Sequence, residues 1–396
     1  MAVPPLTVAL VTETYLPEVN GVAMTLGRLA NGLAARGHRV RIVRPRQKHE
    51  TTGRLTDGQL LTPGLPIPRY PELRFGLPAG ERLRAAWQEK RPDIVHIATE
   101  GPLGFSALAI ARSLEIPVVS TFHTNFHAYS RHYGIGWLRR SIERYLRWFH
   151  NRTAATLVPT RELADELTRL GFRDVGILSR GVDTELFNPA RRAEALRAAW
   201  GAGPEDPVCI VVGRLAPEKN LELACAAFAA VRTDHPQARM VCVGDGPLAE
   251  ALARRHPEVH FSGVRRGEEL AAHYASADLF LFPSLTETFG NVVSEALASG
   301  LPVVAFDHAA AGDLIGNGYN GLLVAPGDRT AFIAAACRLA AEHGRKDWRV
   351  ACAGSVHHLG WERIHDSYAA KLQSIVAAQG EGAHRNEPRR IYLLPD

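Results

Sequence analysis

Along nearly the whole chain, short apolar runs alternate with segments of helical period, and they do so in two successive series. In the first series, residues 6–12, 39–43, 94–97, 118–122 and 156–159 read as strands, with helices over 22–36, 103–114, 136–152 and 161–170 between them. In the second, strands fall at 208–212, 239–243, 259–261, 279–282 and 303–306. Such alternation builds parallel sheets covered on both faces, because every crossover helix has an apolar stripe to bury. The fold class is therefore α/β, and 396 residues are too many for one core, which makes two domains the expectation. Ligands of such sheets bind outside the carboxyl ends of the strands, in loops and in a cleft between two such domains. Residues 45–80, rich in Pro, Gly and Arg, interrupt the pattern and read as irregular strands and loops.

Composition narrows the setting. No apolar run reaches the ~18 residues of a membrane span, and the amino terminus lacks the basic flank of a signal peptide. Cys209, Cys225, Cys242, Cys337 and Cys352 are scattered without C-x-x-C spacing, as expected of reduced core residues in a cytoplasmic protein. No D-x-D triplet occurs, so a metal site on a nucleotide diphosphate has no support. Residues 1–200 carry 28 basic against 18 acidic side chains, the rest 18 against 23. A basic first half with no nucleic-acid module points to an anionic membrane surface or acceptor. In the helix over 136–152, Leu138, Ile142, Tyr145 and Phe149 share a stripe, with Arg139, Arg140, Arg144 and Arg147 mostly off it. That is either a core-packed helix with a solvated basic face or one resting on anionic lipid.

Four loops after strands hold the candidate chemistry. The stretch Pro283-Ser-Leu-Thr-Glu-Thr-Phe-Gly-Asn leads into a helix over 291–299. It places Glu287 before the helix and Glu295 about one turn beyond, with backbone N–H groups of Phe289, Gly290 and Asn291 free to face an oxygen-rich ligand. The bland reading is a helix start dressed with acids for its dipole. Arg214 and Lys219, five residues apart across a turn, either converge on one anion or are two surface cations. Gly21 opens a helix after the first strand, as a phosphate site or a tight turn; Tyr15 on that loop is an acceptor contact or an idle surface aromatic. His123 and His127 follow the strand at 118–122. Gly244 and Gly246 read as close-packing glycines.

Together, G-R-L-x-x-x-K from Gly213 to Lys219, E-x7-E from Glu287 to Glu295, Gly21, His123 and the Gly181-Val-Asp to Phe187-Asn-Pro stretch resemble the retaining glycosyltransferases of family 4 over residues 6–378. The resemblance implies the GT-B fold, two Rossmann-like domains whose parallel sheets face across a cleft. It implies domains at 1–182, on the acceptor side, and 183–360, for the nucleotide-sugar donor. A helix at about 361–378 would pack back onto the first domain, and 379–396 would form a tail. It further implies that Glu287 holds donor-sugar hydroxyls and Glu295 the ribose. Arg214, Lys219 and the Gly21 amide would face the diphosphate, His123 the sugar near its 6-hydroxyl, and the Val264 backbone the base. Three alanines, Ala309 to Ala311, stand where many relatives have paired glycines, implying a less permissive backbone; the variant is similar to a bacterial subgroup of GDP-mannose-dependent mannosyltransferases. The expected reaction is metal-independent hexose transfer from a nucleotide sugar, with no further cofactor, to a lipid or glycan acceptor, in the cytoplasm or at the inner membrane face. The alternatives are a UDP-sugar transferase acting on diacylglycerol, a nucleotide-sugar epimerase, which should lack the paired motifs, and a non-catalytic sensor. A nicotinamide dehydrogenase is disfavoured because neither series opens with G-x-G-x-x-G.

Overall fold

β1 (Thr7–Val11), the first apolar run, is buried along Val8 to Val11, as a central strand covered on both faces must be. It pairs in parallel with β2 (Arg39–Pro45) on one side and β7 (Ile94–Ile97) on the other. The computed structural model describes residues 4–16, 18, 20–48, 50, 53–56, 58–67, 70–123 and 139–382. His127, Leu138 and the tail from 383 onward lie outside them. The described chain divides into two units, Met1–Ser179 with Trp361–Asp396, and Arg180–Gly360.

In the first unit, β8 (Val118–Thr121), β9 (Ala155–Val158) and β10 (Val175–Ile177) extend the sheet beyond β7. On the other flank, β4 (Gln59–Thr62) joins β2 in parallel, and β3 (Gly53–Thr56) adds an antiparallel edge. The full order is β10-β9-β8-β7-β1-β2-β4-β3. β5 (Gly64–Ile67) and β6 (Tyr70–Gly76) form a separate antiparallel pair. The interrupted stretch at 45–80 is thus more strand-rich than its prolines imply, because Pro63 and Pro66 are accommodated at a strand junction and in a two-stranded ribbon. The last helix, Trp361–Gly382, belongs to this unit: Arg36 reaches Glu362 and Asp366 at 2.9 and 2.7 Å, and His96 Nδ1 meets the Tyr368 hydroxyl at 2.5 Å.

The second unit holds β11 (Val208–Val212), β12 (Arg239–Val243), β13 (His260–Gly263), β14 (Leu279–Phe282), β15 (Val303–Phe306) and β16 (Gly321–Val324), all parallel, in the order β13-β12-β11-β14-β15-β16. β16 goes beyond the sequence reading; it is short and opens on Gly321, where a Cβ would stand 2.4 Å from the Val303 carbonyl. In each sheet the strand order reverses beside the first strand of the unit, at β1/β7 and at β11/β14. The loops leaving those strands are where such a sheet opens a crevice.

The entry to β14 is fixed by charge. Asp278, 7 % exposed, accepts from Arg192, Arg197, Arg349 and the Val208 amide at 2.8–3.1 Å. Arg197 is fully buried, and its fork also donates to the carbonyls of Ser276, Gly203 and Asp206. Among the cysteines Cys337 is half-buried and the other four are buried, all as free thiols.

Candidate active site

β14 ends at Phe282, and Pro283 turns the chain into a loop that closes on Gly290, the N-cap of the Asn291–Ala298 helix. Gly290 sits at φ +95°, a left-handed conformation that costs glycine nothing. Within the loop Ser284, 1 % exposed, donates to Glu287 Oε1 at 2.8 Å, and the Leu285 amide donates to the Glu218 carbonyl at 2.8 Å. That backbone bond stitches the Glu287 loop to the turn carrying Lys219. The Lys219 ammonium accordingly donates to Glu287 Oε1, joining residues 68 apart in sequence at the β11/β14 crossing. The sequence leaves Arg214 and Lys219 either converging on one anion or standing as two surface cations; in the structure Lys219 is held by Glu287, while Arg214 is exposed and makes no ion pair among the described residues.

Gly244 and Gly246 explain how the Arg214 loop is held. A Cβ on Gly244 would stand 1.9 Å from the Gly213 carbonyl, and one on Gly246 2.5 Å from that of Leu215. The Leu215 amide donates to the Asp245 carbonyl at 2.9 Å. The two glycines therefore serve close packing, as their sequence context implies.

Among the described residues, the amides of Phe289, Gly290 and Asn291 donate to no protein group. Three adjoining free N–H groups at a helix start form a concavity for oxygen. The Phe289 side chain is buried, and its carbonyl accepts from the Ala310 amide at 2.9 Å, which fixes the direction of the loop. The Asn291 side-chain oxygen is buried with no donor among the described residues. Arg180, which precedes the Gly181-Val-Asp stretch and was not singled out from sequence, stands here too, its Cζ 5.8 Å from the Phe289 ring centre. Burial lowers its pKa to about 10, against the opposing pull of Glu287.

Glu295 lies on the same helix, half-buried, with the Tyr274 hydroxyl donating to it at 3.1 Å. Burial pushes its carboxyl up to about 7, partly offset by that hydrogen bond. Val264, 52 % exposed, directly follows β13. Ala309 adopts φ +52°, so it keeps the left-handed geometry natural to glycine rather than relaxing out of it. Of the three alanines, Ala309 is the one that carries this steric cost.

In the first unit, Gly21 opens the Gly21–Ala35 helix and is exposed. Asn20, unanticipated as a cap, accepts from the Val22 and Ala23 amides at 3.1 and 2.9 Å. Tyr15 departs from its expected place on the surface: it is 8 % exposed and packs with Leu10, Leu26, Ala30 and Ile42. Its ring is part of the core because the loop after β1 folds inward. Glu13 on that loop was not singled out from sequence. Its carboxyl accepts from the Leu103 amide at 3.2 Å, against Gly101, where a Cβ would lie 2.2 Å from it. Burial raises it to about 7, against the lowering effect of the Leu103 and Gly76 amides. His123 follows β8, partly exposed. In the same unit, a groove of about 700 Å³ is lined by apolar groups of Phe75, Pro78, Phe105, Ala109, Ile110 and Tyr145. The Arg139–His150 helix buries Leu146 and Phe149 but exposes Ile142 and Trp148; the buried stripe is displaced from the expected one, which included Ile142.

Residues 19–186 match the sequence profile of Glycosyltransferase Family 4, and residues 206–342 that of Glycosyl transferases group 1. A GDP-mannose-dependent alpha-mannosyltransferase of Corynebacterium glutamicum is 34% identical over 365 residues, 91% of this chain and 85% of that one. A sulfoquinovosyl transferase of Arabidopsis thaliana is 37% identical over 273 residues, 66% of this chain and 52% of that one. Among solved structures, sucrose-phosphate synthase of Thermosynechococcus elongatus superposes with a TM-score of 0.73 at 19% identity, covering 94% of this chain and 100% of that one. The fold is that of the GT-B glycosyltransferases.

Proposed function

Since the chain belongs to glycosyltransferase family 4 and has the activity of a hexosyltransferase, we propose that it transfers mannose from GDP-mannose, with retention of configuration, to a lipid acceptor. The observation that carries this reading is the union of Lys219, Glu287 and Ser284 beside three open amides at the β11/β14 crossing. Glu287 and the amides suit a polyhydroxylated ring, and the exposed, uncommitted Arg214 suits the diphosphate. Lys219 and the Gly21 amide add positive potential where leaving-group charge grows. Glu295 takes the ribose, the Val264 backbone the base, and His123 the sugar near its 6-hydroxyl.

In the transfer, the bond from the anomeric carbon to the phosphate oxygen breaks as the bond to the acceptor oxygen forms on the same face. The acceptor proton passes to the departing phosphate oxygen, so GDP leaves with it. Arg214 and Lys219 take the part that a divalent ion plays in D-x-D enzymes. For the acceptor, the apolar groove of the first unit and the exposed Ile142 and Trp148 among Arg140, Arg144 and Arg147 support a lipid at an anionic membrane face. No described helix is long and apolar enough to cross a membrane.

Thermal unfolding with GDP, UDP and ADP tests the donor. GDP should raise the melting temperature most, and GDP-mannose should then release GDP in the presence of a glycerolipid. Stabilisation by UDP instead would favour a UDP-sugar donor. No shift with any nucleotide would remove the binding site itself.

A further inference from the structure

Arg180 is 8 % exposed, yet among the described residues its guanidinium donates no hydrogen bond and has no carboxylate within ion-pair reach. Taking a cation out of water without partners is costly, and folds normally avoid it. Arg197 shows how this same unit treats a structural arginine: although its Nε, like that of Arg180, has no hydrogen-bond partner among the described residues, both of its Nη atoms are engaged, by Asp278 and by the carbonyls of Ser276, Gly203 and Asp206. Arg180 receives nothing comparable. Its neighbours are the Phe289 ring, 5.8 Å from Cζ, and the charge of Glu287, whose Oε1 is engaged by Lys219 and Ser284. Both neighbours belong to the loop with the open amides of Phe289, Gly290 and Asn291. Nothing in the sequence marks Arg180, which precedes Gly181-Val-Asp in what reads as a connecting stretch.

We propose that Arg180 is a ligand-binding residue of the donor site, its guanidinium kept unpaired to receive an anionic oxygen group of the sugar nucleotide beside the Phe289–Asn291 amides. This rests on the nucleotide-sugar reading of that site. With GDP-mannose the group is the diphosphate, and with a UDP-sugar donor whose sugar is acidic it is that substituent, since both present oxygens that a guanidinium fork can grip.

The test compares wild type with Arg180→Met and Arg180→Lys, by thermal unfolding without ligand and by titration with inorganic pyrophosphate, GDP, GDP-mannose and UDP-glucuronic acid. Arg180→Met should weaken binding by about 10- to 100-fold, the range for a lost hydrogen-bonded charge. Its ligand-free melting temperature should be unchanged or higher, because an unpaired buried cation is removed. Arg180→Lys, which keeps the charge and loses the fork, should fall between. Weakened pyrophosphate and GDP binding would assign Arg180 to the diphosphate; weakened UDP-glucuronic acid binding alone would assign it to the sugar. Affinities within threefold of wild type in both variants, or a lower melting temperature with affinity retained, would overturn the proposal. If wild type binds GDP and the variants bind it and the other probes equally well, only the role of Arg180 falls. If wild type binds no probe, the donor-site reading falls with it.

Discussion

Two charge clusters in the second unit are built from the same parts and left in opposite states. Around Asp278, three arginines and a backbone amide converge, and Arg197 fills its fork with carbonyls as well. Around Glu287, Lys219 and Ser284 are engaged, while Arg180 lacks a hydrogen-bonding partner among the described residues and three neighbouring amides donate to nothing. The Asp278 cluster lies at the start of β14 and the Glu287 cluster at its end, one strand apart. A buried charge network that saturates itself holds the fold; one that is left short of acceptors stores binding capacity. The carboxyl ends of parallel strands are where that capacity meets solvent and ligand.

The comparison is sharpest where each cluster is broken. Asp278→Ala strands three arginines and should destabilise the protein by about 3–5 kcal/mol, the cost of orphaning buried charge, as read by denaturant unfolding. Whatever remains folded should bind GDP normally, and a selective loss of GDP affinity would merge the two clusters into one function. Lys219→Ala should lower turnover by about 10²–10³-fold, as expected for removing a donor to developing charge, with the melting temperature little changed. A melting temperature that falls as far as that of Asp278→Ala would make Lys219 structural.

Glu295 supplies a pH-dependent version of the contrast. Its folded pKa, raised by burial to about 7 from the ordinary 4.5, means that the folded state holds a proton the unfolded chain releases earlier. Stability from this group is therefore full below about pH 4.5 and is lost as pH rises through about 7. Glu295→Gln should gain on wild type by about 1–3 kcal/mol at pH 8 and by little at pH 4. A gain independent of pH would contradict the burial argument. The smallest effect is at Ala309, whose φ of +52° strains an alanine: Ala309→Gly should relieve up to about 1 kcal/mol, offset in part by backbone entropy. A destabilised Ala309→Gly would mean that the alanine methyl packs usefully.

The two parallel sheets were legible because apolar strands alternate with helical periods, a signal local to each segment. Glu287 and Glu295 were legible for a similar reason, since their spacing sets one before a helix start and one a turn beyond. The Lys219–Glu287 pair was not, because it joins two loops that only the strand order brings together. Arg180 was missed because its distinction is the absence of partners in a buried place, which no local pattern encodes. Tyr15 reads as a loop aromatic from its neighbours and is a core residue because the loop after β1 packs inward. The strands between residues 53 and 76 were obscured by prolines that a ribbon and strand ends tolerate.

The central claim is that Glu287 and its surroundings are arranged for the sugar of a nucleotide donor, and the most direct measurement is GDP release from GDP-mannose by wild type and Glu287→Gln, with a glycerolipid acceptor and matched folded fractions. Turnover should fall about 100-fold or more in the variant, while GDP itself binds as tightly as before or more so, because Lys219 is freed from its carboxylate partner. Equal turnover by the two proteins would contradict the account.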